Sequence, residues 1–315
     1  MIGYNRLGIN GRLANQMFQY ASLRGIAAKH GYEWTIPPED RETHNMADYN
    51  IMDGFKLPHL KNKGFVPADW PVHDEPCHDF DPEFFENCPD NINLEGFRQS
   101  EKYFKHIEDE IKEDFTFIDD IYNPCKEMID GLEETPLFLH VRRADATGRP
   151  HQYPVASIEW YEKMLKDHFS QDVPVLILTD KLDWVQEQEL FKGDRFLLSE
   201  QREYSETLVW NGRGKKEHSL LPWVDLCLMT LCNGGIIPNS TFGWWGAWLQ
   251  KNRTNNVVYQ HPYFGPEFTA KHDCFRDLND MYPEDWIRGH LPDEMIDKKY
   301  TASENEVDLY SLLFI

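Results

Sequence analysis

At 315 residues the chain is long enough for a substantial core and for two packed domains. Its 41% hydrophobic and 14% aromatic content, ten tryptophans included, excludes a disordered protein. A net charge of −22 argues against general binding to nucleic acid or to an anionic membrane, since both need a basic surface, but it leaves room for a small basic pocket.

In chain order, "MIGYNRLGIN" reads as a first strand, "GRLANQ" as a turn and "MFQYASLRGIAAKHGY" as a helix with Phe18, Leu23 and Ile26 on one stripe. Residues 38–95, rich in Pro, Asp and Asn, yield few elements. "SEKYFKHIEDEIKEDFTF" predicts one amphipathic helix with Phe104, Ile107, Ile111 and Phe115 on a single face. From about 136 the rhythm is regular. "PLFLHV" is a strand, "SIEWYEKMLKDHF" a helix with Ser157 as N-cap, "VPVLILTD" a strand, "LDWVQEQELF" a helix and "RFLLSE" a strand. Then come "PWVDLCLMTLC" as a buried helix, "GGIIPN" as a strand, "TFGWWGAWL" as a helix and "NNVVYQ" as a last strand. Apolar strands alternating with helices predict an α/β fold with a doubly wound parallel sheet, which binds ligands at the carboxyl ends of its strands.

The cysteines at 77, 88, 125, 227, 232 and 274 show no CxxC and no metal-ligand spacing, and Cys227 and Cys232 read as buried thiols. The first residues lack a basic start followed by an apolar core, and no apolar run reaches the roughly 18–20 residues that span a bilayer. A cytoplasmic setting is the expectation. The sequons at Asn239 and Asn252 are expected to be unmodified there, and "GRGKKEH" reads as a solvated loop.

Four stretches carry chemistry. Arg142 and Arg143 follow the strand "LFLHV", and the exit turn points them apart. One suits forked binding of a phosphate and the other suits pairing with Asp145; two surface ion pairs are the alternative. Asn239, Ser240 and Thr241 precede the aromatic helix, where unpaired N–H groups favour phosphate oxygens, although the trio equally suits plain capping. Asp225 lies in an apolar helix and needs a partner. Guanine, whose N1–H and N2 amine match a carboxylate, is one, and an arginine or the helix start is another. In "GRLANQMFQYA", Asn15 and Gln16 offer neutral groups suited to hydroxyls, and the spacing is that of neither GxGxxG nor a GxxxxGK[ST] loop.

Together, "GRLANQMFQYA", "LEGFRQSEKYF", "HVRRAD" and "DLCLMTLCNGGIIPNSTFGWWGAWL" resemble the hallmark segments of the α-1,2-fucosyltransferases, related to blood-group H transferases and their bacterial counterparts. The resemblance covers residues 7 to about 265 and is weaker over 38–90. HxRRxD alone is shared with α-1,6- and protein O-fucosyltransferases. The resemblance implies a GT-B glycosyltransferase with two Rossmann-like domains facing a cleft: 1–130 on the acceptor side, 131–265 on the GDP-sugar side, and 266–315 packing back as a tail. It implies GDP-β-L-fucose as donor, inversion, a terminal galactoside 2-hydroxyl as acceptor, and neither metal nor other cofactor. His140 and Arg142 match positions that hold the diphosphate, Arg143 and Asp145 match the rest of that motif, and Asp225 lies where relatives face guanine. Asn239, Ser240 and Thr241 match the segment near the phosphates, and Asn15, with Gln16 beside it, matches the first-turn motif across the cleft. The chain departs from the family pattern at Ala14, Ala144, Ala146, Pro238 and Lys181, which leaves the acceptor less defined than the donor.

Inversion requires that the acceptor hydroxyl lose a proton, and Asp145 and His151 are the nearest candidates in sequence. A displacement with strong leaving-group help needs only a weak base. The alternatives are the same donor with another linkage or acceptor, or a catalytically silent relative that binds a GDP-sugar or glycan.

Overall fold

The computed structural model describes residues 1–9, 11–38, 50–143, 152–199, 209–211, 217–219, 221–251, 256–271, 278 and 280–297. The first half contains β1 (Ile2–Gly3), α1 (Leu13–His30), β2 (Trp34–Thr35), α2 (Ile51–Gly54), β3 (Val72–His73), α3 (Pro82–Asn87), β4 (Ile92–Leu94), α4 (Glu108–Asp114) and α5 (Asp119–Asp130). Its strands form a parallel sheet in the order β2-β1-β4-β3. The second half runs β5 (Leu137–Val141), α6 (Ile158–His168), β6 (Val175–Thr179), α7 (Leu182–Glu187) and β7 (Phe196–Leu198). β8 (Val209–Asn211) and β9 (Glu217–Ser219) pair antiparallel by themselves. α8 (Leu221–Leu231), β10 (Gly235–Ile237), α9 (Thr241–Trp248), β11 (Val257–His261), α10 (Pro266–Lys271) and β12 (Ile287–His290) complete it.

The second sheet is parallel throughout, in the order β12-β11-β10-β5-β6-β7. Counted by appearance in the chain, this is the 3-2-1-4-5-6 order of dinucleotide-binding folds, and strand direction of travel reverses between β5 and β10.

Continuous apolar strands make this sheet buried on both faces. Leu139, Val141 and Ile177 point toward α6, against Trp160, Tyr161 and Met164. Phe138, Leu176 and Ile237 point the other way, into a core that continues without a break through α8, α9, α1 and the first sheet. Among the described residues no helix is long and apolar enough to cross a membrane.

Three expectations change. α1 starts at Leu13 rather than at Met17, because the N–H groups of Asn15 and Gln16 already bond to the Arg12 carbonyl. It is buried nearly all round rather than along one stripe, as a helix enclosed by two layers must be. The single helix expected from Ser100 to Phe115 is two 3₁₀ turns, Glu101–Tyr103 and Lys105–Ile107, followed by α4. The turns tighten where the segment crosses α1 at Gly25. The strand expected to be last, β11, is followed by β12, which lies in the stretch read as a tail; the Trp160 indole N–H donates to the His290 carbonyl (3.0 Å) and pins this edge.

A Cβ at Gly25 would land on the Tyr103 carbonyl oxygen and 2.8 Å from Phe104 Cα, all backbone atoms that cannot swing aside. Gly25→Ala is expected to destabilise the fold by about 1–3 kcal/mol, read as a lowered Tm.

Candidate active site

The carboxyl ends of β5 and β10, on either side of the reversal, present Arg142 and the Asn239–Thr241 segment. Arg142 is half-buried. Its Nη1 donates to the Asn239 carbonyl at the threshold of α9, and its guanidinium lies over the Tyr153 ring, 5.1 Å from the centroid. A permanent positive charge is thereby fixed beside a helix start, where the two reinforce one another toward an anion.

Each neighbour has a separate task. Asn239 is buried, and its side-chain amide donates to the carbonyls of Tyr263 (2.9 Å) and Pro154 (3.3 Å), which sets the loop that carries Arg142's acceptor. With the amide so committed, it is no open glycosylation acceptor. Ser240 caps α9, accepting the Gly243 N–H (3.4 Å) through its hydroxyl. Thr241 donates its hydroxyl to Asn15 Oδ1 (3.1 Å). His140 is buried at the end of β5, close enough to α9 that a Cβ on Gly243 would stand 2.7 Å from its Nδ1.

Asn15 Oδ1 also accepts from the Gln99 side chain (3.1 Å), so one oxygen gathers α1, the loop after β4 and the start of α9. The carboxyl edges of the two sheets meet there. Gln16, by contrast, is buried, and its Oε1 accepts the Ile51 N–H (3.4 Å), a task inside the first half rather than in a cleft. Asp225 sits in the second turn of α8, half-buried, and accepts the hydroxyl of Ser199 just beyond β7 (3.3 Å). It is therefore no helix-start acid, and it stands at the carboxyl edge of the same sheet as Arg142. Asp145 and His151 lie outside the described residues.

Sequence reasoning places Arg143 with the donor contacts, and the structure corrects this. Arg143 is fully buried, its guanidinium stacked 3.9 Å from the centroid of Trp184. Its Nη2 pairs with Asp297 (2.6 Å), Nη1 donates to the Ala156 carbonyl (3.2 Å), and its backbone N–H donates to Asp180 (2.7 Å). Each of these contacts holds in place the residue that follows Arg142. Asp297 lay too far along the chain for any local pattern to find it.

The segment after β3 was also missed. His78 stacks on Phe97 (5.3 Å) and stands 6.3 Å from Phe264; Phe264 in turn is 5.6 Å from Tyr153, beneath Arg142. Burial pushes its imidazole down to about 4, so it is neutral at neutral pH.

Because Arg143 has no access to water, removing Asp297 strands a buried charge. Asp297→Ala is expected to lower stability by about 3–5 kcal/mol, measured by denaturant unfolding.

The sequence model described as "Glycosyl transferase family 11" matches residues 1–287. Galactoside alpha-(1,2)-fucosyltransferase 1 of Leontopithecus chrysomelas is 28% identical over 257 residues, covering 76% of this chain and 64% of that protein. The Homo sapiens protein of that name is 27% identical over 255 residues, with the same coverage. The chain thus spans somewhat under two thirds of the length of these curated relatives. Among solved structures, POFUT1 in complex with GDP superposes with a TM-score of 0.49 at 12% identity, over 82% of this chain and 97% of that one. NodZ alpha-1,6-fucosyltransferase soaked with GDP-fucose gives 0.47 at 13%, over 79% and 92%. With the family match running from the first residue into β12, the chain belongs to glycosyl transferase family 11.

Proposed function

We propose that this chain is an inverting fucosyltransferase that moves L-fucose from GDP-β-L-fucose to the 2-hydroxyl of a terminal galactoside, without a metal. The observation that carries the reading is the fixed Arg142 guanidinium at the start of α9, set at the point where strand order reverses. The names of the relatives, galactoside alpha-(1,2)-fucosyltransferases, support the donor sugar and the linkage. The two parallel sheets meeting at Asn15 support a GT-B reading, with 1–130 facing the acceptor, 131–265 holding the nucleotide and 266–315 as a tail from which β12 extends the second sheet and Asp297 pairs with Arg143.

Cleavage of the bond between fucose C1 and the diphosphate oxygen leaves negative charge on GDP. Arg142 and the first-turn N–H groups of α9 meet that charge as it grows, and because Asn239, Tyr153 and Arg143 already hold them, they need no rearrangement at the moment of reaction. His140, closed against α9, shapes the same wall. Asp225, one turn into α8 on the same edge, is placed to accept hydrogen bonds from guanine. These groups take the part that a divalent cation plays in other nucleotide-sugar enzymes. A cytoplasmic location goes with this proposal.

GDP release from GDP-fucose in EDTA, with and without lactose, tests it. The parent is expected to release GDP only with the galactoside, and Arg142→Ala to lose about 10²–10³ in rate, the magnitude for one leaving-group contact. Release that needs a metal, or that is indifferent to Arg142, overturns the reading.

A further inference from the structure

We infer that Gln99 is a positioning residue of the transfer, one that aims the Asn15 amide at a hydroxyl of the galactoside; this deepens the transferase reading above and rests on it.

Gln99 is buried in the loop that follows β4, at the carboxyl edge of the first sheet. The loop is clamped on either side of it. The Arg98 N–H donates to Glu75 Oε2 (2.8 Å), and the Arg98 carbonyl accepts the hydroxyl of Ser22 from α1 (3.0 Å). Beyond Gln99, the Ser100 hydroxyl donates to the Asp280 carbonyl (2.6 Å). Arg98 adopts a φ of +51°, in the left-handed region that residues with a side chain enter only at a cost. Such a conformation persists where its surroundings over-determine it, and here it fixes the direction in which the chain enters Gln99.

From that clamp Gln99 Nε2 donates to Asn15 Oδ1 (3.1 Å), and the Thr241 hydroxyl donates to the same oxygen (3.1 Å). Both lone pairs of the oxygen are taken, so the carboxamide has one orientation. Its nitrogen lies against Gly11, which has a φ of +88° and on which a Cβ would fall 2.0 Å from Asn15 Nδ2. Only a glycine leaves room for the NH2 group there. Among the described residues the Asn15 side chain makes no other hydrogen bond, so its two N–H donors are unspent. Asn15 and Thr241 are both half-buried, within reach of a ligand. Thr241 stands two residues beyond Asn239, whose carbonyl accepts from Arg142, which sets the Asn15 amide beside the Arg142 site.

A rigid, uncharged N–H donor suits a sugar hydroxyl oxygen, whereas the phosphates are met by Arg142 and the start of α9. Asn15 belongs to the half that faces the acceptor, so the galactoside brings that hydroxyl. Gln99 itself touches no substrate. What matters is the direction of its bond, because it must donate. A side chain of the same shape that could only accept would turn the Asn15 carboxamide over, with Nδ2 toward the loop and Oδ1 toward the site. Thr241 would permit the turn, since a hydroxyl accepts as readily as it donates. Little charge surrounds the three residues. α9 carries no charged side chain, and the nearest charged residues in sequence are Arg12 before α1 and Arg98 and Glu101 beside Gln99, with Arg98 bonded to His73 and Glu101 paired with Lys105.

The test is Gln99→Glu, close to isosteric, beside Gln99→Leu, with galactoside-dependent GDP release followed from neutral to mildly acidic pH. At neutral pH the introduced carboxylate can only accept. kcat/KM for the galactoside is expected to fall about 10²-fold, the scale for a misplaced substrate group, while GDP affinity stays that of the parent. Burial raises the new carboxyl above its ordinary value of about 4.3. As pH falls it protonates, its O–H donates to Asn15 Oδ1, and the rate relative to the parent is expected to recover. Gln99→Leu loses one neutral hydrogen bond and cannot titrate, so it should lose about tenfold relative to the parent at every pH. A Gln99→Glu rate equal to the parent's shows that Gln99 accepts from Asn15 and overturns the proposal. A loss in Gln99→Glu that ignores pH also overturns it. So does a joint fall of kcat/KM, GDP affinity and Tm in both variants, which marks Gln99 as plain packing. A parent that binds GDP yet releases none with any galactoside defeats the transferase reading first, and this one with it.

Discussion

Helix α9 joins everything else. Its three tryptophans are fully buried, and each indole N–H donates to a different part of the chain: Trp244 to the Met281 carbonyl (2.8 Å), Trp245 to the Ala14 carbonyl (3.0 Å) and Trp248 to Glu101 (3.0 Å). The rings pack on one another and on Phe18 and Phe104 at centroid distances of 4.5 to 6.4 Å. Large apolar faces fill the space between the sheets while the polar edges fix register, a combination that aliphatic side chains cannot supply. The same helix presents its N-terminus to Arg142. The site and the seam between the halves are therefore one object, and the first turn of α9 can shift only if the core shifts with it.

Two adjacent arginines illustrate how burial divides labour. Arg143 is dry, paired with Asp297 and stacked on Trp184; Arg142 is half-buried, bonded to the Asn239 carbonyl with the Tyr153 ring beneath it. A buried guanidinium without its carboxylate is costly, so the Asp297 pair is a condition for burying Arg143 at all. The doubled positive charge in an acidic chain is thus one cation buried in the frame and one half-buried at the strand end.

The second half was largely legible. Its central strands are nearly continuous apolar runs and Ser240 caps α9, so β5, β6, α6, α8 and α9 fall where the pattern puts them, and the strand-end rule leads directly to Arg142 and the Asn239–Thr241 segment. The first half was not. Its strands are two or three residues long, too short for any periodicity to register, and α1 buries Gln16, Gln19 and Arg24 along with its apolar residues, so no single stripe marks its inner face. His78 sits in a stretch with no regular element, and what distinguishes it is its stacking on Phe97, well along the chain. Glycine-rich or basic stretches announce themselves in a sequence; a ring buried by distant partners does not. Arg143 shows the converse, a motif residue whose partner is 154 positions away.

The bond from Trp245 to Ala14 closes a span of 231 residues. During synthesis, α1 and the first sheet leave the ribosome long before the helix that covers them exists. Until Trp248 has emerged, Phe18, Ile26 and Phe104 have no apolar partner on that side. Until then that apolar surface has nothing to cover it, and pairing across so long a separation is intrinsically slow. The interval between the emergence of residue 30 and that of residue 248 is thus the one in which the first half has most need of shelter.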